Sequence, residues 1–404
     1  MSAKARGQYD KVRRAISKDE VERLVKDLVR IPSHPDAPAK EAQVAEVLHH
    51  YLESHGVESK LRFVEKGRPN VIATIKGSGR GKSMMLNGHT DTVPPYDMDI
   101  PAFTPKVAKG RLYGRGALDM KGGLGAMAVA TVAIRRARVK LEGDLYLTAV
   151  VGEERRSEGT EDIVTRGPKA DMAIVGEPTD LEIQPSHRGL EWLDVHFYGK
   201  AAHGGQAERG VNAISMASRF VKAVEEELLP KLQARRSKYT LPPTLNFGVI
   251  TGGQQPSSVA DYCVIKMDRR WTPEEKLEQV FEEIYDIFDR LKREDPRFKA
   301  ELKRDPANMC TMTHVPNVVS TSHPIVRSLQ SSVKEVTGKT AKTTTFWGWT
   351  DAALLTHFAK MPTVVFGPGG GGAHSRVEYV NTDDLLACAR IYAMTAMDIC
   401  APSA

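Results

Sequence analysis

Histidine and carboxylate side chains that could bind a metal ion occur where short apolar runs of the sequence end. His89 closes such a run at 84–86, and Asp91 follows two residues later, so in extended chain both side chains share a face. A carboxylate beside a histidine can fix the tautomer of the ring and raise its basicity as a metal ligand. Taken alone, the pair also fits a surface histidine in an Asx turn.

Three further acidic sites repeat this placement. Asp119 lies between a glycine-rich turn and a predicted helix, and its two oxygens suit a pair of cations about 3.5–4 Å apart. Glu153 and Glu154 follow an apolar run directly, and like charges side by side are unfavourable unless a cation or a proton relieves them. Glu177 follows another apolar run. Taken alone, Asp119 also fits a helix N-cap, the 153–154 pair also fits a solvated acidic loop, and Glu177 also fits a loop salt bridge.

The last candidate ligand is His374, which follows the glycine-rich run 367–372. Glycines let the backbone approach a ligand closely and present its N–H groups. A phosphate-binding loop is disfavoured, because no Walker lysine follows the run and no dinucleotide-binding βαβ opening precedes it.

The elements that must position these residues alternate between helix and strand. Helices are predicted from Ser17, where Glu20 completes a capping box, and at 41–55 and 122–135. Strands are predicted at 70–75, 83–86 and 144–151. This alternation indicates an α/β fold with helices packed on the faces of the sheet.

The pattern changes between residues 188 and 303. Strands are predicted at 191–198, 245–251 and 261–268, and helices at 212–228 and 273–291. Two helices on one side of an antiparallel sheet are typical of an α+β domain. We therefore predict an inserted domain at 188–303, with a discontinuous catalytic domain formed by 1–187 and 304–404.

Composition favours a soluble globular enzyme. The 404 residues are 41% hydrophobic and 27% charged, and the net charge of +6 is not gathered into basic arms, which disfavours nucleic-acid binding. No apolar run is long enough for a membrane helix, and the charged N-terminus does not resemble a secretory signal. The four scattered cysteines indicate reduced thiols. We expect a cytoplasmic protein without a membrane partner.

The order of the motifs is more specific than any one of them. His-x-Asp, Gly-x-x-Asp-Met-Lys-Gly, Glu-Glu, Gly-Glu-Pro-Thr and a glycine-rich Ala-His resemble the M20 metallopeptidase family, over nearly the whole chain. That family includes deacetylases, desuccinylases, aminoacylases and carboxypeptidases. The resemblance implies a zinc-hydrolase-like catalytic domain, with helices on both faces of a mixed sheet, and an inserted lid or dimerisation domain.

The resemblance also implies a centre of two divalent metal ions, zinc by preference, with cobalt or manganese as alternatives. The implied ligands are His89, Asp119, Glu154, Glu177 and His374. Glu153 then corresponds to the general base, and Asp91 to the acid behind the first histidine.

Four residues are implied to contact a small substrate that carries a carboxylate. Arg270 would bind the carboxylate through its guanidinium, and His203 would steady the oxyanion, in dimeric members from the partner subunit. Thr350 and Gly369 complete the set. We accordingly predict a homodimer that forms through the inserted domain.

The predicted reaction is hydrolysis of the amide C–N bond of an N-acyl amino acid or a related carboxylated amide, with Glu153 moving the proton. A di- or carboxypeptidase and a hydrolase of another non-peptide C–N bond are the alternatives. The aromatic run at 345–350 leads to the hypothesis that Phe346, Trp347 or Trp349 lines a pocket for a bulky or aromatic substrate group. Ordinary core packing is the other interpretation of this run.

Overall fold

The structure is a computed structural model that describes residues 3–308 and 311–401. The strands within these residues are, in chain order, β1 (Glu58–Glu65), β2 (Arg68–Ile75), β3 (Met84–His89), β4 (Lys106–Ala108), β5 (Arg111–Tyr113), β6 (Leu145–Val150), β7 (Met172–Val175), β8 (Ser186–His187), β9 (Gly189–Tyr198), β10 (Thr244–Gly252), β11 (Tyr262–Trp271), β12 (Ala300–Arg304), β13 (Asn317–Val318), β14 (Thr363–Val365), β15 (Gly370–Gly371) and β16 (Tyr379–Asn381).

The α-helices of the same residues are α1 (Ala3–Arg14), α2 (Lys18–Val29), α3 (Ala42–Ser54), α4 (Lys121–Arg136), α5 (Glu158–Arg166), α6 (Ala213–Ala223), α7 (Leu229–Ala234), α8 (Leu277–Glu294), α9 (Pro324–Thr337), α10 (Ala352–His357) and α11 (Thr382–Cys400). A π-turn at Val224–Leu228 joins α6 to α7, and Gly204–Arg209 is a short 3-10 helix.

A mixed six-stranded sheet, ordered β1-β2-β6-β3-β7-β14, forms the centre of the larger part of the molecule. Strands β6, β3, β7 and β14 run parallel, and β1 and β2 are antiparallel to their neighbours. Successive side chains of a strand point to opposite faces. Met84 and Leu86 accordingly pack in the core that contains α2, α4 and α11, whereas Met85 packs in the core that contains α5 and α10. Helices on both faces confirm the predicted α/β class.

Helix α4 passes through the larger core, where Lys121–Ile134 is buried throughout. A helix without a polar face is expected where other elements surround it. At Gly123 a Cβ atom would lie 2.0 Å from the carbonyl oxygen of Gly176, so only glycine permits this approach. The approach brings the start of α4, just after Asp119, next to the chain that carries Glu177.

A second sheet, ordered β10-β11-β9-β12, is antiparallel throughout. The inward-facing residues of β9, namely Leu193, Val195 and Phe197, pack with α6 and α8 in a core of their own. The predicted α+β insertion is therefore present. Its boundaries at 188 and 303 stay a prediction, because a separate sheet and core do not show where an independently folding unit begins and ends.

Two interpretations of the sequence need correction. The hydroxyl of Ser17 accepts the N–H of Glu20 at 3.2 Å, as predicted for the start of α2. The carboxylate of Glu20 binds Arg136 instead of completing a capping box. The solvated acidic loop, one interpretation of the chain after residue 152, is wrong for Glu158 and Glu161, because both are buried in α5.

Three of the four cysteines, Cys263, Cys388 and Cys400, are buried free thiols, and Cys310 lies outside the described residues. The three described thiols agree with the expectation that the fold does not depend on disulfide bonds. Among the described helices, none combines the length and the apolar character needed to span a bilayer.

Candidate metal centre

The candidate ligands converge because the strands that precede them are parallel neighbours. Strand β3 ends at His89, β6 ends shortly before the pair 153–154, and β7 ends shortly before Glu177. The order β6-β3-β7 places these three carboxyl ends side by side. Asp119, just before α4, and His374, between β15 and β16, are brought to the same edge of the sheet.

Two groups of three potential ligands share one carboxylate. In the first group, His89 Nε2 lies 3.1 Å from Asp119 Oδ1 and 3.4 Å from Glu177 Oε1. In the second group, His374 Nε2 lies 3.1 Å from Asp119 Oδ2 and 3.1 Å from Glu154 Oε2. The ligand atoms of each group lie within 4.8 Å of one another. Asp119 therefore turns one oxygen towards each group.

The carboxylate of Asp91 anchors the glutamate pair. Its Oδ1 accepts the backbone N–H groups of Gly152 at 3.0 Å and Glu153 at 3.2 Å, and its Oδ2 accepts that of Glu154 at 3.1 Å. His89 Nδ1 lies 3.0 Å from the carbonyl oxygen of Asp91 and 3.4 Å from its Oδ1. A proton on Nδ1 satisfies these oxygens and leaves the lone pair of Nε2 for a metal ion.

A buried ion pair, which the sequence analysis missed, positions Asp119. Glu378 Oε2 lies 2.6 Å from Arg115 Nη1, and Glu378 Oε1 accepts the backbone N–H groups of Leu118 at 2.9 Å and Asp119 at 3.1 Å. Both members of the pair are buried. The one sequence signal is that Glu378 follows His374 by four residues. No spacing rule connects it with Arg115.

Burial and charge repulsion make this cluster of carboxylates unfavourable without a cation. Burial, together with the nearby charge of Asp119, raises the pKa of Glu177 to about 8. Burial also raises the pKa of Glu153 well above its ordinary value. Burial disfavours the charged form of His374, but hydrogen bonds to Asp119 and Glu154 outweigh it and raise the pKa to about 11. Relief of such repulsion is what a cation provides.

The donor set fits divalent metal ions. Glu177 Oε1 is buried and has no hydrogen-bond partner among the described residues. Buried polar atoms are normally paired, so this oxygen is available as a ligand. Histidine nitrogens and carboxylate oxygens in groups of three are typical of catalytic zinc sites that keep one position open.

The cluster lies in a cavity of about 240 Å³. The lining residues are Asp119, Glu153, Glu154, Arg155, Glu177, Pro178, Leu190, Trp192, Arg270, Asn308, His314, Phe346, Trp347, Gly348, Trp349 and His374. We call Asp119, Glu153, Glu154, Glu177 and His374 the metal-binding end. The aromatic wall consists of Trp192, Phe346, Trp347 and Trp349 with the neighbouring polar side chains of Asn308 and His314. All three aromatic residues singled out in the sequence line the cavity, and Phe346 and Trp349 also pack in the smaller core of the α/β part.

Several residues of the cavity belong to no sequence motif, among them Trp192, Asn308 and His314. Trp192 lies in β9, Asn308 follows β12, and His314 precedes β13. The alternating pattern of β9 predicts a strand but not which element faces it. Only the tertiary structure brings these residues together.

Two of the four predicted substrate contacts lie where a ligand could reach them. Arg270 lines the cavity, and its Nε and Nη2 bind the carboxylate oxygens of Asp268 at 2.7 and 2.8 Å. This pair occupies one two-nitrogen face of the guanidinium and leaves Nη1 for a ligand. His203 is exposed on the inserted part, where its Nδ1 accepts the N–H of Gly205 at 3.1 Å. His203 does not line the cavity of its own chain.

The other two predicted contacts, Thr350 and Gly369, are not brought to the cavity wall. The buried hydroxyl of Thr350 lies 3.2 Å from His187 Nε2 and accepts the N–H of Ala352 at 3.2 Å. At Gly369 a Cβ atom would lie 2.5 Å from Asp180 Oδ1. Both positions therefore have packing roles in this structure, and their contact with substrate stays a prediction.

A mixed sheet lies between two layers of helices, and two groups of potential metal ligands share one aspartate at the ends of its strands. This combination is typical of a metallohydrolase. A family model described as Peptidase family M20/M25/M40 matches residues 85–398. The chain belongs to this family, as the order of its motifs predicted.

Named relatives span almost the whole chain. The N-formyl-4-amino-5-aminomethyl-2-methylpyrimidine deformylase of Halalkalibacterium halodurans is 29% identical over 395 residues, which cover 92% of each chain. The acetylornithine deacetylase of Myxococcus xanthus is 31% identical over 358 residues, 87% of each chain. The aminopeptidase PepT of Bacillus cereus superimposes with a TM-score of 0.76 at 20% identity, over 95% of this chain and 99% of that chain. At that identity, the structural likeness shows the fold alone.

Proposed function

We propose that this chain is a dinuclear zinc hydrolase that cleaves the amide C–N bond of a small N-acylated substrate, an N-acyl amino acid or a related carboxylated amide. The observation that carries the proposal is the shared aspartate, since Asp119 faces both His89 and His374 with different oxygens. Two relatives are named for removing a formyl or an acetyl group, which supports an amide substrate.

Each ligand group would hold one ion. His89, Asp119 and Glu177 would hold the first, and Asp119, Glu154 and His374 the second. The chemistry that such ions supply when bound is Lewis acidity towards the amide carbonyl and a lower pKa for the attacking water. Zinc suits these nitrogen and oxygen ligands, and cobalt and manganese accept the same set.

Glu153 is the residue that we assign to proton transfer. Its side chain lines the cavity, and its backbone N–H is held by Asp91. The carboxylate takes a proton from the attacking water and then gives it to the leaving nitrogen, acting first as base and then as acid. Burial raises the pKa of Glu153 in the metal-free chain. Bound cations would oppose this shift, so that the carboxylate is charged when the water attacks.

Substrate recognition is assigned to residues of the inserted part. Arg270 would bind the substrate carboxylate through Nη1, with Asp268 fixing the guanidinium plane. His203 of the partner subunit would steady the oxyanion in a homodimer, which agrees with its exposure and its distance from the cavity wall of its own chain. Val249 and Ile250 are exposed on the edge strand β10, and a second copy would cover this apolar edge.

Metal analysis and an assay panel test the proposed function. The panel contains N-formyl, N-acetyl, N-succinyl and N-carbamoyl amines and dipeptides. We expect about two zinc ions per chain and hydrolysis of an N-acyl compound that a chelator abolishes and zinc restores. His374→Ala should lower the metal content, whereas His50→Ala, at an exposed histidine of α3, should not. Cleavage of dipeptides alone would make the chain a peptidase. If none of the compounds is hydrolysed in a metal-dependent way, the proposal is overturned.

A further inference from the structure

The cavity contains buried polar side chains that no described residue satisfies. Asn308 is 1% exposed, and neither Nδ2 nor Oδ1 has a hydrogen-bond partner among the described residues. His314 is 2% exposed, and within the same residues neither ring nitrogen has a partner. Both side chains line the cavity. Buried polar atoms without partners destabilise a folded chain, so their presence at a cavity wall points to a ligand that pairs with them.

Flat aromatic surfaces lie beside these polar atoms. The ring of His314 stacks on Trp349, with centroids 3.9 Å apart and an interplanar angle of 22°. The indole N–H of Trp349 donates to the carbonyl oxygen of Val315 at 3.0 Å, so its orientation is fixed. Phe346 and Trp347 stack at 5.3 Å, and Trp347, which is 62% exposed, forms the part of the wall that faces solvent. Phe346 and Trp349 are buried and hold this wall in place, whereas the exposed Trp347 offers a flat surface that suits a planar ring.

We propose that the cavity selects N-acylated amines whose amine part carries a polar heteroaromatic ring, which stacks on the aromatic wall while Asn308 and His314 hydrogen-bond its edge. This inference rests on the proposed amide hydrolysis, and it assigns recognition of the amine part to a ring in place of the substrate carboxylate. A carboxamide presents a donor and an acceptor side by side, which complements a ring nitrogen next to an amino group, as in an aminopyrimidine.

The volume of the cavity and the protonation state of His314 agree with a small heteroaromatic ring as the ligand. A volume of about 240 Å³ is below the roughly 300–1,000 Å³ of drug-sized sites, so a single small ring fits better than a long peptide. Burial, with Arg304 and Arg270 nearby, lowers the pKa of His314 to about 3. The neutral imidazole has one donor and one acceptor nitrogen. A phenyl ring or an alkyl chain would leave these groups of Asn308 and His314 unpaired.

The ratio of kcat/KM for two matched substrates measures this selectivity in the zinc-loaded protein. The substrates are the N-formyl derivatives of an aminomethyl-aminopyrimidine and of isobutylamine. We expect the heteroaromatic substrate to be preferred by at least about 100-fold, because a site built to hydrogen-bond a ligand rejects analogues that lack the matching groups.

Asn308→Leu separates binding from folding. The substitution keeps a similar volume and should lower the ratio by about tenfold or more, the effect of losing the two hydrogen bonds of the carboxamide. The Tm should stay the same or rise, because the carboxamide makes no hydrogen bond with the described residues. A purely structural role predicts the opposite result, a lower Tm with an unchanged ratio, and that result would overturn the inference.

Trp347→Ala tests the stacking surface. Its large exposure makes the change tolerable for folding, and the ratio should fall by about two- to tenfold, the usual range for an aromatic pair. Tyr285→Ala, at a half-exposed aromatic residue of α8 outside the cavity, is the matched control and should leave the ratio unchanged.

The outcomes distinguish this inference from the function on which it rests. Zinc-dependent hydrolysis of both substrates with equal kcat/KM would overturn the inference and leave the proposed function standing. If no amide of the panel is cleaved, the proposed function fails, and calorimetric binding of the free aminomethyl-aminopyrimidine to the zinc-loaded protein decides the inference. Binding that is weakened by Asn308→Leu would support the inference. A complete lack of binding would overturn it.

Discussion

The metal-binding end of the cavity and its aromatic wall differ in how their buried polar groups are hydrogen-bonded. At the metal-binding end, Asp91 accepts the N–H groups of Gly152 and of both glutamates of the pair, and Glu378 holds the backbone of Asp119. At the aromatic wall, Asn308 and His314 have no partner among the described residues. The backbone of the first end is fixed by the protein, and Glu177 Oε1 is left for a cation, whereas the second end keeps donors and acceptors for an organic ligand.

The largest effect is expected from Glu153→Gln, which acts on the reacting end of the cavity. The amide cannot accept a proton, so kcat should fall by about 10²–10⁴-fold, the usual contribution of general acid–base catalysis. Metal content and Tm should not change, since Glu153 is not one of the proposed ligands. Steady-state kinetics of the zinc-loaded protein check this, with Glu226→Gln, at an exposed glutamate, as the control. Turnover near that of the wild type would contradict the assigned role.

A smaller effect is expected from Asp91→Asn, which weakens the anchor of the glutamate pair. One carboxylate oxygen becomes an NH2 group that faces a backbone N–H, so activity should fall by about 10–100-fold. The Tm should also fall, because one buried N–H loses its acceptor at about 1–3 kcal/mol. Calorimetric Tm values of Asp91→Asn and Asn308→Leu, measured side by side, compare the two ends of the cavity directly. Equal Tm values for both variants and the wild type would show that the two ends of the cavity do not differ in how the protein satisfies their buried polar groups.

An effect on stability alone is expected in the pH dependence of the metal-free protein. Burial raises the pKa of Glu177 from 4.5 to about 8. Hydrogen bonds to Asp119 and Glu154, against the effect of burial, raise that of His374 from 6.5 to about 11. The folded chain therefore keeps protons that the unfolded chain releases. The stability that both groups contribute is complete below pH 4.5, the Glu177 part is lost as the pH rises to about 8, and the His374 part declines above 6.5.

Calorimetry with a chelator should therefore show a Tm that falls between about pH 5 and pH 9. Zinc should reverse the trend, because metal binding requires deprotonated ligands. A Tm of the metal-free protein that rises over this range would show that the cluster is not buried in the way described. A fall that persists unchanged with zinc would mean that zinc does not bind at Glu177 and His374.

Much of the fold and the identity of the ligand candidates followed from local patterns. Alternating helices and strands predicted the α/β class, and the candidates at 89, 153–154 and 177 all followed apolar runs, which are strands in the structure. Parallel strands bring their carboxyl ends to one edge, so residues far apart in sequence become neighbours by a general rule. The order of the motifs then predicted the family that the comparison with the family model shows.

The amino-acid sequence by itself determined the class of fold and which residues are candidate metal ligands, because strand periodicity and motif order are local properties. Only the tertiary structure decided the contacts of Glu378 with Arg115 and the positions of Asn308 and His314 in the cavity. These residues lie in irregular segments, so no periodicity in the sequence predicts where their side chains lie. The same holds for Thr350, which lies away from the cavity although Trp349, its neighbour, lines it.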